Sequence, residues 1–216
     1  MPDIFDEVEE DLRAERARQI WLRYGGILVA LLAVALLALA GWQAWRWQQN
    51  RLAMRAAEAY LAVHNATEAE GADLKAMADR FVQIGNDSPA GYRTLARLRA
   101  AALKAEVGER EAALALYDQV AHDSAADPLY RELATLMWVL RSLDTGDPAQ
   151  LALRLAPLAR PDGPWRYSAQ ELAGLLALRR GDKDAARRSF QALAQDVTAP
   201  QGIRSRAQRL AAEIEG

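Results

Sequence analysis

No charged residue interrupts the chain between Arg23 and Arg46, where Tyr24-GGILVALLAVALLALAGWQA-Trp45 is almost wholly apolar. As a helix rising ~1.5 Å per residue this stretch covers roughly 33 Å, enough to cross a hydrocarbon core about 30 Å thick. A single transmembrane helix is therefore expected. Its ends carry rings that settle at headgroup level, Trp21 and Tyr24 at one edge and Trp42, Trp45 and Trp47 at the other. A core helix of a soluble domain is rarely apolar on every face for so long. A cleaved signal peptide would open on a short basic region and an apolar run of roughly 7–15 residues, whereas an acid-rich segment of roughly twenty residues comes first here. The span reads as a retained anchor.

Arg13, Arg16, Arg18 and Arg23 precede the span, and Arg46, Arg51 and Arg55 follow it. This narrow arginine excess favours a cytoplasmic N-terminus with the large C-terminal part outside, since acidic residues count little in setting orientation. Three regions are expected: a cytoplasmic amphipathic segment over 1–22, a transmembrane helix over 23–47 and a helical domain over 48–216. In the first, Asp3 is suited to cap a helix in which Ile4, Val8 and Leu12 recur every fourth residue with Phe5 beside them. Such a helix would dock on a cytoplasmic partner more readily than on a membrane surface, because surface helices are usually basic on their polar face. The alternative is a solvated tail that helps set topology.

Divided after Trp47, the chain has 5 basic and 7 acidic residues before the cut and 22 of each after it. Such a balanced domain argues against nucleic acid as a partner. The absence of cysteine removes disulfides, thiol catalysis and thiolate metal sites, and fits either side of a membrane.

Beyond the span the apolar positions recur with a helical period, broken by short loops at Glu70-Gly71, Asn86 to Pro89, Asp123 to Pro128, Gly146 to Pro148, Pro161 to Pro164 and Thr198 to Gly202. Leucine and alanine dominate and β-branched residues are sparse, so the fold class expected is all-α. Gly71, Gly108, Gly146 and Gly181 recur at a spacing near the ~34 residues of tetratricopeptide repeats. The last unit is the clearest. There Gly174 would let two helices approach, Gly181 make the turn, Ala186 fit the crossing and Phe190 fill the gap towards the next pair. Ala101, Ala113 and Tyr117 keep the same offsets around Gly108; Trp138, Leu151 and Leu155 remain around Gly146; Ala76, Phe81 and Pro89 remain around Gly71. An array of degenerate helical hairpins follows, closed by a last helix from Gln201 to Ile214.

An acidic segment, then Trp21-Leu22-Arg23-Tyr24-Gly25-Gly26, one span ending in Gly41-Trp42-x-x-Trp45 and degenerate repeats together resemble the YfgM-type family, ancillary subunits of the bacterial Sec translocon. The repeat domain of the cell-division coordinator CpoB is related. The resemblance implies an inner-membrane protein with a periplasmic C-terminal domain, associated with the translocon and with periplasmic chaperones or secreted clients.

No phosphate-cradling glycine loop, zinc-binding histidine pair or nucleophile elbow occurs in the chain. His64 and His122 stand at helix ends, where a lone histidine more often stabilises the dipole than binds metal. No catalytic residue, cofactor, metal or small-molecule substrate is therefore expected. A hydrolase of peptide or peptidoglycan would need a polar cleft with a perturbed acid or base, and no such convergence is legible. Arg179, Arg180, Arg187 and Arg188 surround the last hairpin turn and read as dispersed surface charge beside Asp182 and Asp184.

The repeat template turns Leu95, Leu98, Leu133, Leu136, Leu140, Leu143, Leu175 and Leu178 towards the inner side of the array. They form either an apolar groove for a partner segment or ordinary core of an array closed on itself. The function expected is a membrane-anchored, non-enzymatic protein-interaction module of the translocon. The alternative is an assembly factor for cell division, cytochrome maturation or other envelope machinery.

Overall fold

The computed structural model describes the backbone of residues 4–215 and the side chains of Arg18 and residues 22–214. Asp3 and the side chains of Ile4, Phe5, Val8, Leu12, Arg13, Arg16 and Trp21 lie outside that description. Among the described residues the structure is all-helical, with nine α-helices, one 3-10 turn and no strand. Contacts divide it into a unit ending at Leu52 and a second beginning at Ala53.

Helix α1 runs from Ile4 to Thr67 without a break. Alanine and leucine favour the helix, and no proline stands in it to remove a backbone donor. Among the described residues of the first unit its large apolar side chains are exposed, Leu32, Leu36 and Leu39 among them, and the helix is long and apolar enough to cross a membrane. Along the apolar run from Tyr24 to Trp45 the amphipathic pattern that marks a helix of a soluble core is missing.

In the second unit the end of α1 is followed by α2 (Leu74–Asp87), α3 (Ala90–Glu106), α4 (Arg110–His122), α5 (Pro128–Ser142), α6 (Pro148–Leu155), a 3-10 turn (Ala156–Ala159), α7 (Arg166–Arg179), α8 (Lys183–Gln195) and α9 (Gln201–Glu215). From α2 onward each helix packs on the next, while α3 also touches α5, α5 touches α7 and α7 touches α9. That pattern is a stack of hairpins in which every second helix shares one layer. Asp73, Asp127, Asp147 and Asp182 cap α2, α5, α6 and α8 by accepting backbone N–H bonds on their carboxylates, as aspartate does where the first helical donors lack partners.

The repeat register is counted best from the caps of the second helix of each hairpin. The carbonyls of Asp73, Glu109, Asp147 and Asp182 accept the N–H of Met77, Ala113, Leu151 and Ala186. Four residues further stand Phe81, Tyr117, Leu155 and Phe190, none more than 2 % exposed. This corrects the glycine count in the first hairpin, where Met77 and not Ala76 takes the crossing position. Ala72 adds one residue between the turn glycine and the cap, while Gly108 and Gly181 directly precede theirs.

Gly108 and Gly181 take φ of 82° and 79° and end α3 and α7, with the N–H of Glu109 and Asp182 reaching back to the carbonyls of Lys104 and Ala177 at 2.8 and 3.0 Å. That left-handed residue is the reason for glycine, because a Cβ would strain the turn. Eight residues before each cap stand Ala101, Val139 and Gly174, in the same clusters as, or in contact with, Tyr117, Leu155 and Phe190 respectively. Here size on one helix trades against size on the other, as close packing requires. At Gly174 the fit is tightest: a Cβ would lie 2.7 Å from Phe190 Cε1.

Three buried clusters form the core. Trp138 packs against the first and second, and Leu175 against the second and third, so the apolar interior is continuous along the stack.

Candidate interaction surface

Counting back from the caps brings the inner-layer leucines into rows. Leu98 and Leu136 hold one position of successive hairpins, and Glu171 holds it in the next. Leu136 is buried, while Leu98, Leu143, Leu175 and Leu178 are half-buried and packed against the core clusters. Leu95 and Leu133 are half-buried. Leu140 alone of the eight is open, at 43 % exposure.

The row changes chemistry at its C-terminal end. Glu171 is buried to 9 % exposure, and Arg206 of α9 donates to both its oxygens, Nε at 2.7 Å and Nη2 at 2.8 Å. The two-pronged bond holds the guanidinium charged, above its ordinary range. A carboxylate buried without such a partner would be costly, so this pair ties the last helix to the hairpin before it. Glu171 and Arg206 were not singled out from the sequence. The signal was there: an acid in a row otherwise filled by leucine, with a base 35 residues on.

The same stride recurs in other long-range bonds. Arg154 Nη1 donates to Asp118 Oδ1 at 2.9 Å, Trp165 Nε1 to the Leu129 carbonyl at 3.2 Å, and Arg179 Nη1 to the Leu143 carbonyl at 2.6 Å, each across 36 residues. Arg154 also stacks its guanidinium 3.9 Å from the Trp138 ring centroid. Arg179 and Arg187, the latter paired with Asp184, are thus engaged within the chain, while Arg180 lines a depression described below.

Lys104, buried on α3, is the charged node of the N-terminal half. Its Nζ lies 2.6 Å from Asp79 Oδ1 on α2 and 2.6 Å from Glu109 Oε2, and Lys75 Nζ reaches Glu109 Oε1 at 2.7 Å. The hydrogen bond from Lys104, and after it that from Lys75, holds the Glu109 carboxyl down at about 2. Hydrogen bonds to Asp79 and then Glu109 keep the Lys104 ammonium above its usual range. The node links neighbouring helices, and nothing in it converges on a cleft. His64 lies 3.7 Å from Glu68, and His122 Nδ1 donates to the Asp118 carbonyl at 2.8 Å. Among the described residues no three of His, Cys, Asp and Glu gather as metal ligands would.

A family model described as a tetratricopeptide repeat-like domain matches residues 18–211. The chain belongs to this family. No curated protein and no solved structure matches it. Tetratricopeptide-like domains are in general non-catalytic modules that bind other proteins.

One hairpin of the tetratricopeptide-like array departs from the rest. Helix α6 has 8 residues where α4 and α8 have 13, and Pro157 falls in the 3-10 turn that continues it. The shortened helix leaves an apolar depression of about 320 Å³ between α6 and α7, lined by Ala152, Leu155, Ala156, Ala159, Ala173, Leu176, Ala177 and Arg180. The connections into α3, α5, α7 and α9 carry a further repeat signal that the glycine count overlooked. Ser88, Ala126, Gly163 and Ala199 are buried one or two residues before Pro89, Pro128, Pro164 and Pro200. A small residue lets each loop close against the stack, and the proline then presets φ for the helix that follows.

Proposed function

We propose that this chain is a membrane-anchored, non-enzymatic protein-interaction module. The observation that carries the reading is the continuity of α1, one helix from a stretch able to cross a membrane into the first hairpin of the tetratricopeptide-like domain. Tethering of this kind raises the effective concentration of a binding domain near one machine without any new contact. The machine we infer is the Sec translocon of a bacterial inner membrane. The N-terminus is then cytoplasmic, and the repeat domain binds periplasmic chaperones or secreted clients. The arginine excess before the span and the resemblance of its flanks to the YfgM-type family support this choice. The region bounds 1–22, 23–47 and 48–216 belong to the same reading.

The partner surface we propose runs along the inner-layer leucines. Leu140, with Leu95 and Leu133 beside it in the pattern, offers apolar side chain to an extended or helical segment. Leu98, Leu136, Leu143, Leu175 and Leu178 form its packed floor. No cofactor, metal or small-molecule substrate enters this function.

The test is photocrosslinking of the full-length protein in its native membrane, with the probe at Leu140 or, as a control, at the exposed Leu153 of α6. Translocon subunits or periplasmic chaperones captured from Leu140 and not from Leu153 are the expected result. Division or cytochrome-assembly proteins captured from Leu140 would favour the second reading, a repeat-bearing assembly factor. No capture along the leucine line would remove the groove.

A further inference from the structure

Between Glu15 and Glu58 the chain contains no acidic residue, yet six arginines flank the apolar run. Three tryptophans crowd the C-terminal edge of that run, and Trp42, Trp45 and Trp47 are 60, 60 and 59 % exposed. Two of them stand four residues before an arginine, Trp42 before Arg46 and Trp47 before Arg51, so each pair shares a helix face. In the second pair the Arg51 guanidinium carbon lies 4.1 Å from the Trp47 ring centroid. The ring face holds the cation in place through its quadrupole and uses none of the five N–H donors, whose planar fork matches the oxygens of a phosphate.

We propose that Arg46 and Arg51, framed by Trp42, Trp45 and Trp47, each bind the phosphate of an anionic phospholipid at the C-terminal edge of the span. The inference rests on reading α1 as a membrane anchor. The tryptophans take the interfacial depth at which indole rings are most stable, and that depth brings the guanidinium groups level with the lipid phosphates. Zwitterionic lipids offer the same phosphate but cancel its charge with a neighbouring ammonium. With no acid between Glu15 and Glu58 and three arginines, Arg46, Arg51 and Arg55, before Glu58, the edge carries net positive charge and prefers a net-negative headgroup. The two pairs point from different faces of the helix, so each takes a separate lipid.

Full-length protein reconstituted in phosphatidylcholine vesicles tests this, with spin-labelled phosphatidylglycerol or spin-labelled phosphatidylcholine as the probe lipid. Electron spin resonance then reads the fraction of probe held against the protein. Expected is a preference for phosphatidylglycerol, on the order of fivefold per arginine, that weakens at high salt and falls towards one in the R46Q/R51Q double variant. A conserved W47L/R51Q to R51Q ratio is also expected, because Trp47 acts through the cation it holds. Equal retention of the two probes by the native protein would overturn the proposal, and so would a double variant that keeps the full preference. The first result would move the positive edge towards an acidic protein segment, and the second would place the lipid preference on groups other than these two arginines. Failure of the native protein to stay with the vesicles on flotation is a separate outcome, which sinks the anchor reading and this proposal with it.

Discussion

The first and last hairpins of the repeat unit are held together by different packing, and only in the last do the two helices approach closely. Between α7 and α8 the fit is a glycine against a phenylalanine, with Phe190 fully buried over Gly174. Where the end of α1 meets α2 and α3 the space is filled by rings. Tyr60 stands 5.1 Å from the Phe81 centroid at 59° and 6.2 Å from that of Tyr92 at 54°, tilted arrangements that suit the ring quadrupoles. The last hairpin needs one residue to be glycine. The first needs several large residues to meet, and none of them is diagnostic alone. Where the small residue at the helix contact is absent, large side chains fill the wider space between the helices.

Truncating the gap filler in either hairpin is the largest perturbation of this comparison. Phe81→Ala and Phe190→Ala should each destabilise the unit by about 3–5 kcal/mol, read by denaturant unfolding of the full chain in detergent. A small effect at Phe81 beside a large one at Phe190 would break the equivalence. Overpacking comes next, with Gly174→Leu expected to cost roughly 1–3 kcal/mol. An unchanged melting temperature would refute the register counted from Asp182. In the first hairpin, Tyr60→Leu keeps apolar volume and removes the ring contacts, and a loss of about 1 kcal/mol is expected. Gly181→Ala should cost about 1 kcal/mol, because its φ of 79° strains any side chain even though a Cβ there meets open space.

Acid should separate the two halves more gently. Glu109 is held from an ordinary 4.5 down to about 2 by Lys104 and Lys75, so the folded state binds that proton less readily than the unfolded chain. Stability from this carboxylate is complete above the ordinary value and is lost as pH falls from there towards about 2. Melting curves across that window should flatten in Glu109→Gln, which leaves the Gly174–Phe190 contact untouched. A slope unchanged by the substitution would mean that the node does not couple to folding.

Much of this architecture was legible beforehand because its signals are local. The apolar run depends on side-chain transfer energy alone, and the last hairpin declares itself through Gly174, Gly181, Ala186 and Phe190. In the first hairpin Phe81 was read in its place but Ala76 one residue before the crossing position, since the glycine count could not see that Ala72 lengthens the turn. Along the inner layer, the row of leucines was visible as a pattern. Its end at Glu171 and Arg206 was not, because that pair is a contact between helices 35 residues apart.

What the sequence determined by itself was the class of each segment: a helix able to cross a bilayer, and a chain of amphipathic helices with turn glycines at nearly regular intervals. Periodicity and backbone sterics act within a few residues, so they are readable in one dimension. Only the tertiary structure decided which leucines pack against the core and which is open, that Lys104 gathers two carboxylates, and that a shortened α6 leaves an apolar depression. Each depends on the volume and charge that a neighbouring helix brings, and those are properties of packing in three dimensions.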